Sequence, residues 1–179
     1  MSVRRMLDPF SDIKSMKPPP QPWLQNHANA HTIEQGLRRT GRDPDNYVFF
    51  TTVRNPWARV FSAYKFGLRN PNSTWHAAAI SEGCLDGFVM HPHVTDRLKS
   101  KALDQMTTAR VRVFRLEQDS ELLVELVCSL VGKEIELPHL NATDANDYTA
   151  AFQDQRAIDH VAEIFASDIA QGYEFKRPE

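Results

Sequence analysis

Apolar positions along the chain recur at two spacings, and the change from one to the other marks the elements. Tyr47-Val-Phe-Phe-Thr-Thr-Val53 is a continuous aromatic and β-branched run, the pattern of a strand buried on both faces, and Arg54 is the first charge after it. Just beyond, Trp57, Val60, Phe61, Tyr64 and Leu68 follow the i, i+3, i+4, i+7 spacing of a helix that buries one stripe. Asn55 is a residue type that caps such a helix and Pro56 a type that fills its first position. The spacing therefore predicts a helix over 56–68, with Arg59 and Ser62 opposite the stripe. A helix is expected at 28–39, short helices over 70–91 with breaks at Pro71, Gly83, Gly87 and Pro92, a polar helix over 94–105, and a second strand over 111–114. Leu122, Leu123, Leu126, Val127 and Leu130 predict a core-facing helix over 120–131, stopped by Gly132, and Ile158, Val161, Phe165 and Ile169 mark a last helix over 153–170. Few strands among many helices, without internal repeats, give an α/β class, as expected of a short parallel sheet that has lost its first βα unit.

Residues 1–22 stand apart, because Pro18, Pro19, Pro20 and Pro22 crowd a stretch without apolar period; they read as an irregular proline-rich arm ahead of one domain over 23–179. At 179 residues, with 41% hydrophobic and 25% charged residues, the chain can bury a sizeable core. A net charge of -2 argues against general nucleic-acid binding. No apolar run approaches the ~20 residues of a membrane span, and no secretory apolar segment lies near Met1, so the cytoplasm is the expected location. Cys84 and Cys128 are expected as buried free thiols rather than a disulfide.

The chemistry concentrates where the first strand meets its helix. A guanidinium at the carboxyl end of a strand, the N–H groups of a helix start and the Ser62 hydroxyl can converge outside a sheet, where open α/β folds place anionic ligands. The plainer alternative is a capped amphipathic helix with two solvated arginines. Beyond this physical reading, Val53-Arg54-Asn55-Pro56-Trp57-x-Arg59-x-x-Ser62-Ala63-Tyr64 resembles the 3′-phosphate-binding motif of sulfotransferases that use 3′-phosphoadenosine 5′-phosphosulfate (PAPS), in their carbohydrate- and Golgi-type branch. Asn26-His27-Ala28-Asn29-Ala30 is similar to a Lys-His-Ala-x-Ala segment of bacterial members, with Asn26 in place of lysine. Val113 to Glu117, Leu137 to Thr143 and Ser167 to Phe175 are similar to later segments of the family.

The resemblance implies a P-loop-NTPase-like sulfotransferase fold and sulfuryl transfer from PAPS, without a metal, to a hydroxyl or amine of a carbohydrate or small-molecule acceptor. It assigns the 3′-phosphate to Arg54 and Ser62, with Arg59 as flanking support; region 70–105, an insertion between the family-like segments, is expected to shape acceptor specificity. It also exposes a departure. Members carry a glycine-rich lysine loop that cradles the 5′-phosphosulfate, whereas the first glycine here is Gly36 and Lys14-Ser15-Met16-Lys17 runs into three prolines. The first βα unit is therefore expected to be missing or degenerate, in a fragment, a mis-started chain or a degenerate member. A non-catalytic nucleotide-binding module and a structural partner protein stay open as alternatives.

Sulfuryl transfer benefits from a base that takes the acceptor's proton, and histidine titrates in the right range. By its place in the family-like segment, His27 is the catalytic candidate, with His31 next. As an i, i+4 pair the two could instead hold a metal, but no third ligand is close in sequence. His139 is expected to order its loop, His91 and His93 to flank an exposed break, and His76 and His160 to sit on solvated helix faces.

Overall fold

The computed structural model describes Trp23, residues 28–136 and residues 147–175. The proline-rich arm, Asn26, His27 and the loop 137–143 with His139 lie outside these residues. In chain order the elements are α1 (Ala30–Arg39), β1 (Phe50–Val53), α2 (Pro56–Arg69), α3 (His76–Glu82), α4 (Leu85–Met90), α5 (Pro92–Lys99), α6 (Leu103–Met106), β2 (Arg112–Arg115), α7 (Ser120–Val131), α8 (Asp147–Ala151), α9 (Gln155–Ile164) and α10 (Ala166–Ile169). The described fold is mixed α/β, mostly helical, with a two-stranded parallel sheet. It divides into two compact units, one comprising residues 1–53 and 106–142, the other 54–105 and 143–179.

In the first unit β1 and β2 pair from Phe50 opposite Arg112 to Val53 opposite Arg115. The ladder begins where the Arg112 N–H donates to the Phe49 carbonyl and ends where the Leu116 N–H donates to that of Val53. The first strand is shorter than the apolar run suggests. A 3₁₀ turn at Pro44–Asn46, capped by the Asp43 carboxylate, delivers the chain at Tyr47, and Arg110 pairs with Asp45 of that turn. Tyr47 and Val48 are consequently 42% and 47% exposed, and Val53 alone in β1 is fully buried. The expectation of burial on both faces is thus corrected: a small sheet is half-covered here, by α7. That helix spans the expected residues and ends on Gly132, whose φ of 70° suits a residue without Cβ. It buries Leu123 and Val127 against Phe50, Phe114, Val131 and Ile135, while Leu122 and Leu130 face outward, so its core-facing stripe is narrower than its apolar stripe. In α1, the Asn29 side chain caps Thr32 and starts the helix at Ala30 rather than 28.

The second unit is a helical core built on α2. Trp57, Val60, Phe61 and Tyr64 are buried as expected and Leu68 is not. They pack with Phe88 and Val89 of α4, Val94 and Leu98 of α5, and Ala157, Ile158 and Val161 of α9. Gly67 is buried within α2 against Trp75 and Ala79; a Cβ there would stand 3.0 Å from both side chains. Gly83 ends α3 with φ 65° and Pro92 opens α5, but Gly87 lies inside α4 instead of breaking it. The polar helix expected over 94–105 divides into α5 and α6, and the last helix divides at Phe165 into α9 and α10. One carboxylate belongs to both rearrangements: Asp168 of α10 accepts the Leu103 N–H at the start of α6 at 2.8 Å. Helix α8, which periodicity does not predict, places Tyr148 and Phe152 in the core. No described helix is long and apolar enough to cross a membrane.

Candidate anion-binding site

Arg54, Arg59 and Ser62 all belong to the second unit, around the start of α2. Asn55 is the N-cap, with its side-chain oxygen accepting the Ala58 N–H at 3.1 Å. Its amide nitrogen donates to the Glu174 carbonyl at 3.2 Å, tying the helix start to the segment after α10. Trp57 strengthens that tie: its indole N–H donates to the Ile158 carbonyl at 3.1 Å and its ring meets Phe175 edge-on at 5.4 Å. The cap changes what the helix start can offer an anion. Pro56 has no N–H and Asn55 takes that of Ala58, so the first turn offers chiefly the Trp57 N–H.

At 3.6 residues per turn, Asn55, Arg59 and Ser62 lie on one stripe of α2. Ser62 is half-buried, and its hydroxyl has no hydrogen-bond partner among the described residues. It lies six residues beyond Pro56, or ~9 Å along the axis, a distance that Arg54 has to span if both groups hold one phosphate. Arg54 is half-buried and its charge is felt at Arg59.

Arg59 is not a solvated residue on an outer face. Its Nη1 is 3.4 Å from Asp168 Oδ1, its Nη2 donates to the Lys101 carbonyl at 3.1 Å, and its guanidinium lies 5.1 Å from the centre of the Phe165 ring. Burial lowers its pKa from the ordinary arginine value; Asp168 opposes this and the Arg54 charge adds to it. Asp168 is fully buried, and burial raises its carboxyl pKa against the opposing Leu103 N–H, Arg59 and Ser167. The pair fixes the Arg59 guanidinium, so this residue acts as a held positive charge beside Arg54. Asp168 and Lys101 are the partners that sequence reasoning missed. A signal existed for Asp168, because it sits one turn beyond Phe165 on the buried arc of an apolar pattern, where a carboxylate requires a partner.

The histidines scatter. His31 is exposed on α1, with Nε2 2.7 Å from the Gln35 side-chain nitrogen. His76 and His160 are not on solvated faces: His76 Nδ1 donates to the Gly67 carbonyl at 2.8 Å and His160 Nε2 is 3.0 Å from Thr95 Oγ1. His91 is half-buried while His93 is exposed. Cys84 and Cys128 are free thiols, but neither is fully buried: Cys84 is exposed and Cys128 half-buried. Among the described residues no group of three or more histidines, cysteines, aspartates or glutamates is disposed to hold a metal ion. Comparison with protein-family models, with curated proteins and with solved structures finds no match to the chain.

Proposed function

We propose that the chain is a sulfotransferase domain that moves a sulfuryl group from PAPS to an acceptor hydroxyl or amine and releases adenosine 3′,5′-bisphosphate. The observation that supports this reading is the Arg54-Asn55-Pro56 junction, where a half-buried guanidinium precedes a capped helix start and an uncommitted serine hydroxyl follows on the stripe of the cap. Arg54 and Ser62 hold the 3′-phosphate. Arg59, fixed by Asp168, supplies a further positive charge rather than a second mobile ligand. In the reaction the acceptor atom attacks sulfur as the bridging S–O bond breaks; the electron pair stays on the 5′-phosphate and the acceptor's proton passes to a base. The family resemblance assigns that base to His27.

Asn26, standing where relatives of this motif carry lysine, favours a second reading in which the chain binds the nucleotide without turning it over. Calorimetry with adenosine 3′,5′-bisphosphate tests what the two share. Arg54→Ala removes a charge-assisted contact worth ~1.5–3 kcal/mol, so affinity should fall about tenfold or more. Equal affinity in a variant that retains its fold rejects the site. Transfer from radiolabelled PAPS over a panel of acceptors then separates enzyme from binding module.

A further inference from the structure

The two edges of the β1·β2 sheet are built differently. On β2 the Arg115 N–H points away from β1 and donates to Asp119 Oδ2 at 2.8 Å, and the same carboxylate holds the Arg115 guanidinium at 2.9 Å. Arg112 places a further exposed charge on that strand. Charge and an occupied N–H are the usual protection of an edge strand. On β1 neither is present. Arg112 and Leu116 donate to the Phe49 and Val53 carbonyls, so the alternation along a parallel ladder turns the N–H and C=O groups of Phe50 and Thr52 outward. Among the described residues these outward groups have no hydrogen-bond partner. The run they belong to, Tyr47 to Val53, carries no charge, and Tyr47 and Val48 are exposed although both types favour strands. Parallel sheets are ordinarily larger and better covered than this one.

We propose that the outer edge of β1 is a homodimer surface, to which a second copy of this chain adds its own β1, antiparallel, about a two-fold axis at Phe50. In that register Phe50 faces Phe50 of the second copy and Thr52 faces Val48, and each facing pair exchanges two N–H···O=C bonds. The outward groups of Phe50 and Thr52 then find acceptors and donors, and the exposed start of the run at Val48 becomes strand. The run is its own complement: Tyr47 meets Val53 and Phe49 meets Thr51, so no like charges oppose one another. Such an isologous pair closes on itself and gives a four-stranded sheet with β2, the protected strand, at both ends. The surface lies in the first unit and does not depend on the sulfuryl-transfer reading.

Sedimentation equilibrium of the full chain over a range of concentrations should show reversible dimerisation, and residue-resolved amide exchange by NMR should localise it. Exchange at Phe50 and Thr52 should slow as concentration rises, while Thr51 and Val53, whose N–H groups face β2, stay protected throughout. Thr52→Pro removes an outward N–H without touching the β1·β2 ladder, a position at which an edge strand accepts proline, and should raise the dimer dissociation constant about tenfold or more. Val48→Lys sets a charge on the edge at an exposed position and should weaken the dimer likewise; it carries the test if the proline variant melts early. Leu122→Lys changes an exposed apolar residue of α7 and should dimerise as the wild type does. A chain that stays monomeric, or equal dimerisation by wild type and Val48→Lys, overturns the proposal. So does exchange at Phe50 that is slow at every concentration, which would mean that the chain covers its own edge, or a dimer lost in Leu122→Lys, which would move the contact to α7.

Discussion

Replacing Asp168 probes the interaction that holds Arg59 in place. The carboxylate is fully buried, accepts the Leu103 N–H at 2.8 Å and lies 3.4 Å from the Arg59 guanidinium. Breaking a buried ion pair from one side costs ~3–5 kcal/mol. Here the Arg59 side chain is 33% exposed and keeps the Lys101 carbonyl, which reduces that figure. The Leu103 N–H, by contrast, loses its acceptor in Asp168→Ala, at ~1–3 kcal/mol. The sum is a loss of ~3 kcal/mol for alanine and ~1–2 kcal/mol for Asp168→Asn, whose amide oxygen can still accept from Leu103. The pH dependence follows from the raised carboxyl pKa. Burial outweighs the pairing with Arg59, so the folded chain favours the protonated carboxyl: wild-type stability is highest below the ordinary aspartate value of 3.8 and declines as pH rises through the higher folded value, where the carboxylate and its ion pair replace the neutral acid. Asparagine does not titrate, so the stability difference between wild type and Asp168→Asn should be largest in acid and shrink toward neutral pH. Urea unfolding followed by Trp57 and Trp75 emission, which report on the second unit, measures both effects. A loss below ~1 kcal/mol in Asp168→Ala, or a difference to asparagine that does not vary with pH, refutes the reasoning.

If the chain turns over PAPS, His27→Ala should lower the rate by roughly 10²–10⁴ while nucleotide affinity stays nearly constant. Single-turnover kinetics beside calorimetry checks this, and an unaltered rate moves the role of base to His31. Gly67→Ala should destabilise the second unit by ~1–3 kcal/mol, because its Cβ meets Trp75 and Ala79 at 3.0 Å in a packed core. Thermal melts read that loss, and a variant as stable as the wild type would mean that α2 and α3 can part freely.

Local chemistry was the most legible part of the sequence. Asn55 and Pro56 announce the start of α2, Gly132 the end of α7, and Trp57 to Tyr64 the buried stripe, since each is decided by neighbours within a turn or two. What failed was decided at long range. Tyr47 and Val48 have strand propensity but no partner strand beside them, because the turn at Pro44–Asn46 sets where pairing begins. Gly87 is tolerated within α4, where Cys84 Sγ accepts its N–H at 3.4 Å. The division between α5 and α6 depends on an aspartate 65 residues further on, which no local window contains. The same limit applied to the site: Arg54, Asn55 and Ser62 stand together in sequence, whereas the fixation of Arg59 rests on Asp168 and Lys101.

Phe175 sets a clock on this fold. Its ring is met edge-on by Trp57, Tyr148 and Phe152, at 5.4, 5.9 and 5.7 Å, and the neighbouring Glu174 carbonyl is bound by Asn55, 119 residues upstream. At a synthesis rate of ~5–20 residues per second, those 119 residues take about 6–24 s to follow Asn55 out of the ribosome. Trp57 gains the Ile158 carbonyl only once residue 158 has emerged, and its Phe175 ring partner later still. The helix start that presents Arg54 therefore stays without its closing contacts until the segment around Phe175 has been made.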